Sequence, residues 1–184
     1  LFLLITTLVA SQASAHKRLF ILLGQSNMSG RAPIEDADMA VCPMVKLLNA
    51  DGHFEVLRNP LNRFSNIRKD IAMQKLGPGY TFAETLSEQL QDTIFFVVNA
   101  RGGTALERFM KNDTAGYYEK TLFRIKQALR ERPDLKPATI IWHQGESNRD
   151  DYQSYLNHLN TLVADLRSDL GIPDLPCLLY TSDA

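Results

Sequence analysis

The chain has 184 residues, 45% hydrophobic and 22% charged, which is enough for one domain with a single core and too few for two. A formal net charge of −1 leaves no basic excess to hold a phosphate backbone, which argues against a nucleic-acid partner. No run is long and apolar enough to span a bilayer as a mature segment, so no membrane partner is expected after processing of the N-terminus.

Leu1 to Val9 is nearly continuous apolar sequence, and Ala13-Ser14-Ala15 behind it has the small-x-small form of a cleavage site. The segment reads as part of a secretory signal peptide, with the mature chain starting near His16 and a secreted or periplasmic destination. The other reading is a buried strand or helix of the mature fold.

Arg18 to Leu23 (RLFILL), ending in Gly24, reads as a central buried strand. Residues 30–44 are mixed and loop-like. Val45 to Leu57 holds two apolar stretches around Asp51-Gly52, a hairpin pattern. Residues 59–79 form a long loop, and long loops in compact domains are often functional. From Tyr80 the period becomes helical through Phe82, Ala83, Leu86 and Leu90. Thr93 to Asn99 is a second buried strand. Tyr117 to Arg132 is a helix that Pro133 stops, Ala138 to Trp142 is a third strand, and Asp151 to Leu170 is a helix with Gly171 behind it.

This alternation predicts an α/β fold, a three-layer sandwich with helices on both faces of a parallel sheet. A fourth parallel strand is expected to begin near Leu175. The last eight residues, CLLYTSDA, match a translated sequencing adapter and read as foreign to the protein, so that strand and the helix behind it are expected to be missing. The expected division is a partial signal at 1–15, an incomplete domain at 16–176 and a non-native tail at 177–184. Cys42 then stands as an unpaired, core-type thiol beside a Cys177 that is not native.

In such folds ligands bind at the carboxyl ends of the strands. Three segments fall there. Ser26, in Gly24-Gln25-Ser26-Asn27-Met28-Ser29-Gly30, sits where the chain turns out of a buried strand, a place that suits a nucleophile beside backbone N–H groups. A helix cap is the competing reading. The adjacent Gly102 and Gly103, in Asn99-Ala100-Arg101-Gly102-Gly103-Thr104, allow close approach of a ligand to N–H donors, or form a plain turn. In Trp142-His143-Gln144-Gly145-Glu146-Ser147-Asn148, Glu146 could orient a histidine and Gln144 could donate to an oxyanion. A structural network around His143, or a cap at Ser147 or Asn148, accounts for the same residues. His16, His53, His143 and His158 have no ligand-like spacing, so no metal is expected. Asn27-Met28-Ser29 and Asn112-Asp113-Thr114 fit glycosylation sequons, the first by chance.

LFILLGQSNMSGR, GPGYTFAETL, the RGGT turn and IIWHQGESN, in that order over residues 18–176, resemble the sialate O-acetylesterase domain, the group that includes the acetylxylan esterases of carbohydrate esterase family six within the SGNH-type hydrolases. The resemblance implies a flavodoxin-like sheet and deacetylation of carbohydrate through an acyl-serine, with no metal or organic cofactor. Ser26 matches the nucleophile. The Ser26 N–H and Gly103 match oxyanion donors, joined by Gln144. Glu146 matches an acid that helps the triad. Gln25, Asn27, Gly79 (of Gly77-Pro78-Gly79), Gly102, His143 and Asn148 match the pocket. The family's C-terminal Asp-x-x-His segment, which carries its triad histidine, does not occur in these residues. Since a serine without its base is a weak nucleophile, the 184 residues as written are expected to be nearly inactive. A broader carboxylesterase or lipase, and a non-catalytic carbohydrate-binding relative, are the competing functions.

Overall fold

The computed structural model describes residues 16–180; the expected signal peptide at 1–15 and the last four residues of the expected tail lie outside them. The elements in chain order are β1 (Lys17–Gly24), α1 (Ser26–Ser29), β2 (Cys42–Leu48), β3 (Phe54–Leu57), α2 (Gly79–Leu90), β4 (Ile94–Ala100), α3 (Tyr117–Glu131), β5 (Leu135–His143), α4 (Tyr152–Leu170) and β6 (Cys177–Tyr180). The sheet order is β3-β2-β4-β1-β5-β6, parallel except for β3.

Setting the β2–β3 hairpin aside, the strand–helix units β1–α2–β4–α3–β5–α4–β6 wind outward from β1, first to β4 and then back across to β5 and β6. This is the flavodoxin-like doubly wound arrangement, and the winding direction reverses at β1 and β5. The hairpin only widens the sheet beyond β4.

The uninterrupted apolar runs follow from burial on both faces. Leu19, Ile21 and Leu23 of β1 point into a core with Phe95, Val97, Ile140 and Trp142, closed by α3 and α4 through Ile125, Ala128, Leu159, Leu162 and Leu166. Phe20 and Leu22 point the other way, with Phe96, Val98 and Ile141, toward α2 and its Tyr80 and Ala83.

Three expectations need correcting. The parallel strand expected to be missing is present as β6: Cys177 to Tyr180 pairs with Ile140 to His143, and the Ile140 N–H donates to the Pro176 carbonyl at 2.8 Å. The open backbone edge of β5 accepts any extended segment that can reach it, whatever its side chains. β5 begins at Leu135 rather than Ala138, because Pro137 is accommodated at a register shift against β1. β2 begins at Cys42, earlier than its apolar pattern indicates, since Pro43 and Met44 are exposed. Cys42 and Cys177 are both free thiols. With β4, β1 and β5 between them, their strands alone lie roughly 19 Å apart at about 4.8 Å per step, too far for the two to pair.

Candidate active site

Gly24, Ala100 and His143 are partners in register at the carboxyl ends of β1, β4 and β5. The pairing carries past the strands. The Gln25 N–H donates to the His143 carbonyl and the Arg101 N–H to the Gly24 carbonyl, both at 3.0 Å. A Cβ on Gly24, whose φ is +145°, would lie 2.0 Å from the His143 carbonyl oxygen, so only glycine lets β1 leave the sheet this close to β5. Three segments far apart in sequence therefore emerge side by side, at the reversal point of the winding.

Ser26, half-buried, opens α1 behind the Gln25 cap. The first N–H groups of such a turn have no partner within it. Gln25 Nε2 faces the Ser26 hydroxyl at a long 3.5 Å. Gly102 packs directly on this turn: a Cβ there would lie 3.7 Å from Ser26 Cα and 2.1 Å from Nη2 of Arg31. Gly103 is exposed, with φ +61°. Neither glycine N–H donates to a group among the described residues, and of the two only Gly103 is exposed.

Asn27 Nδ2 donates to Glu146 Oε1, tying the serine turn to the loop after β5. Glu146 Oε2 is buried without a partner. So are Gln25 Oε1, Gln144 Oε1 and both ring nitrogens of His143, five of the seven such atoms among the described residues. Buried polar atoms are normally satisfied, and these five belong to four residues at the carboxyl ends of β1 and β5 or in the loops that follow them.

Several candidates sit differently from expectation. Gln144 is fully buried, and its amide nitrogen donates to Thr104 O at 3.3 Å and Asn148 Oδ1 at 2.7 Å. Both amide hydrogens are engaged between the loops, so in this geometry it braces the glycine turn rather than donating to an oxyanion. Asn148 belongs to the same brace. His143 is 6% exposed, and its ring lies edge-on to Tyr180 at 4.6 Å in an apolar groove of about 160 Å³ lined also by Leu22, Met28, Gly79 and Phe82. Burial holds its pKa below the ordinary value, against a weaker upward pull from Glu146. Gly79 opens α2 against Leu22 and Leu61 and lines the same groove as His143. Gly77 is the glycine nearer the site, against the Met28 and Asn27 carbonyls. No imidazole among the described residues bonds the Ser26 hydroxyl. No group of three or more His, Cys, Asp or Glu residues among them is placed to hold a metal ion.

Arg31 closes the LFILLGQSNMSGR pattern, which by itself gives it no role. Its Nη1 donates to Ser29 Oγ (2.9 Å), Gly30 O (2.6 Å) and Met73 O (2.9 Å), which leaves the Nη2 edge beside Gly102 and Ser26. Lys69 reaches the same turn from the long loop, 3.4 Å from where a Gly103 Cβ would stand. No sequence spacing signals either contact.

The pattern of the family described as "Carbohydrate esterase, sialic acid-specific acetylesterase" matches residues 16–181. A curated relative, the probable carbohydrate esterase At4g34215 of Arabidopsis thaliana, is 29% identical, with the match covering 88% of this chain and 67% of the relative. The crystal structure of that Arabidopsis protein superposes with a TM-score of 0.78 at 28% identity, over 89% of this chain and 73% of its own. The NanS crystal structure gives 0.68 at 21% identity, over 90% and 67%. XAC1771, a carbohydrate acetylesterase from Xanthomonas citri, gives 0.57 at 20%, over 88% and 40%. The last two likenesses speak to the fold alone.

Proposed function

Because this chain belongs to the sialic acid-specific acetylesterase family of carbohydrate esterases, we propose that it removes acetyl groups from carbohydrate through an acyl-serine on Ser26. One observation carries the reading: a half-exposed serine at the reversal point of a doubly wound sheet, with the Gly102-Gly103 amides on one side and the Glu146 carboxylate on the other. Ser26 Oγ attacks the acetyl carbon. The oxyanion gathers the N–H groups of Ser26 and Gly103, each such donor being worth about 10²–10³ in rate. The sugar hydroxyl leaves with a proton, and water then hydrolyses the acetyl-serine. The proton on Ser26 needs a base, and no imidazole among the described residues bonds that hydroxyl.

The Nη2 edge of Arg31 at Gly102, with Lys69 at Gly103, puts positive charge on the glycine turn that packs against Ser26. It supports a sugar that carries a carboxylate over neutral xylan. Export, read from the apolar segment at 1–15, is part of the same proposal, and a secreted form whose N-terminus lies near His16 is its expected sign.

The test uses the complete gene product beside the 184 residues. Fluorophosphonate is expected to label Ser26, and Ser26→Ala to abolish both label and acetate release. Acetate release that survives Ser26→Ala overturns the acyl-serine, and absence of labelling in the complete product favours a carbohydrate binder. Acetylated sialic acid, an acetylated uronide, acetylxylan and a long-chain ester then rank the substrates, with the long-chain ester standing for a broader esterase or lipase.

A further inference from the structure

The carboxylate of Glu107 lies in the short 3-10 turn Leu106–Phe109, just beyond the double glycine. Asn148 Nδ2 donates to both of its oxygens, at 3.0 and 2.9 Å. His158 of α4 approaches one of them at 3.3 Å. A carboxylate only accepts hydrogen bonds, whereas an asparagine amide can present either end. Glu107, together with the Leu106 N–H on the other side, thus fixes which way Asn148 faces. The amide nitrogen points to Glu107, and Oδ1 accepts from the Leu106 N–H at 2.8 Å and from Gln144 Nε2 at 2.7 Å. Gln144, held at that end, gives its second hydrogen to the Thr104 carbonyl at 3.3 Å. Thr104 completes the glycine turn that packs on Ser26, and Gln144 begins the loop that carries Glu146.

We propose that Glu107 is a positioning residue for the esterase site, fixing through Asn148 and Gln144 the spacing between the glycine turn and the Glu146 loop. The inference rests on the acyl-serine reading above. Glu107 is 44% exposed as a side chain, so its contact with His158 adds little stability. What it supplies is orientation, and a displacement of about 1 Å at such a site can lower the rate 10²-fold. Burial pushes its carboxyl up, but the Asn148 amide and His158 outweigh that and hold its pKa below the ordinary carboxylate value, so it stays an acceptor at neutral pH.

The experiment uses the complete gene product and a small acetyl ester that makes no sugar contacts. Glu107→Ala is expected to lower kcat about 10- to 100-fold while KM moves less than about threefold. Asn148→Asp sets two carboxylates face to face and should lower kcat similarly. The exchanged pair, Glu107→Gln with Asn148→Asp, restores one amide donor and one carboxylate acceptor and should recover most of the rate. A merely structural contact would shift the thermal midpoint without this split between kcat and KM. Variants within twofold of the parent in kcat overturn the proposal, and so does an exchanged pair no better than Asn148→Asp alone. Full activity in Ser26→Ala would instead remove the acyl-serine reading, whatever the Glu107 series gives.

Discussion

The two ends of the sheet are built on opposite principles. At the amino end, polar groups close on one another: Lys17 pairs with Asp92, Arg132 grips Asp134 through two bonds of 2.9 and 2.7 Å, and the Lys17 N–H reaches the Asp134 carbonyl at 3.1 Å. At the carboxyl end, Gln25, His143, Gln144 and Glu146 keep buried atoms unpaired, and Gly24 and Gly103 hold backbone that other residues rarely adopt. One end satisfies itself, while the other leaves buried polar atoms without partners among the described residues. Substitutions at the amino end should therefore register as stability, and those at the carboxyl end as activity.

The largest effect expected is on activity alone. In the complete gene product, Ser26→Ala should lower acetyl-ester turnover by about 10³-fold or more, with a chemical-denaturation midpoint equal to or above the parent's, because among the described residues the Ser26 hydroxyl has one long hydrogen bond. A large stability loss in that variant would blur the contrast between the ends. Gly24→Ala crosses the divide: the clash with the His143 carbonyl and the unfavourable φ should cost about 2–4 kcal/mol in urea titration and remove activity as well.

His143 gives a pH test. Its folded pKa lies below the ordinary 6.5 because burial disfavours the charged ring. Its contribution is complete above 6.5 and is lost as pH falls through that value toward the lower folded one, since the unfolded chain binds the proton more readily. His143→Asn should flatten the stability profile between pH 7.5 and 5. The smallest effect belongs to the amino end. Asp92→Asn should cost at most about 1 kcal/mol at pH 7. The Lys17 hydrogen bond depresses the Asp92 pKa, so that difference is present above 3.8 and disappears as pH falls through the folded value. A loss in acetyl-ester activity from Asp92→Asn would break the comparison.

Strands β1 and β4 were legible because burial on both faces demands uninterrupted apolar residues, and α3 and α4 because one-sided burial demands a period near 3.6. The edges were less so. β2 carries exposed Pro43 and Met44, and β6 leaves Leu178 and Tyr180 54% and 61% exposed, so neither writes a clear burial pattern.

Chemical identity at the site was set locally: a serine past a buried strand, a double glycine and an acid in a polar loop can each be read from a few adjacent residues. Tertiary structure decided what those residues face. It turned Gln144 into a brace, sent the His143 ring into an apolar groove, folded Arg31 back onto the glycine turn, and brought Lys69 to that turn and Glu107 to the brace from segments that carry no pattern. The reason is physical. Burial and backbone geometry leave a periodic or glycine mark along the chain, whereas a hydrogen bond between residues 40 or more positions apart depends on side-chain direction, which only the folded sheet sets.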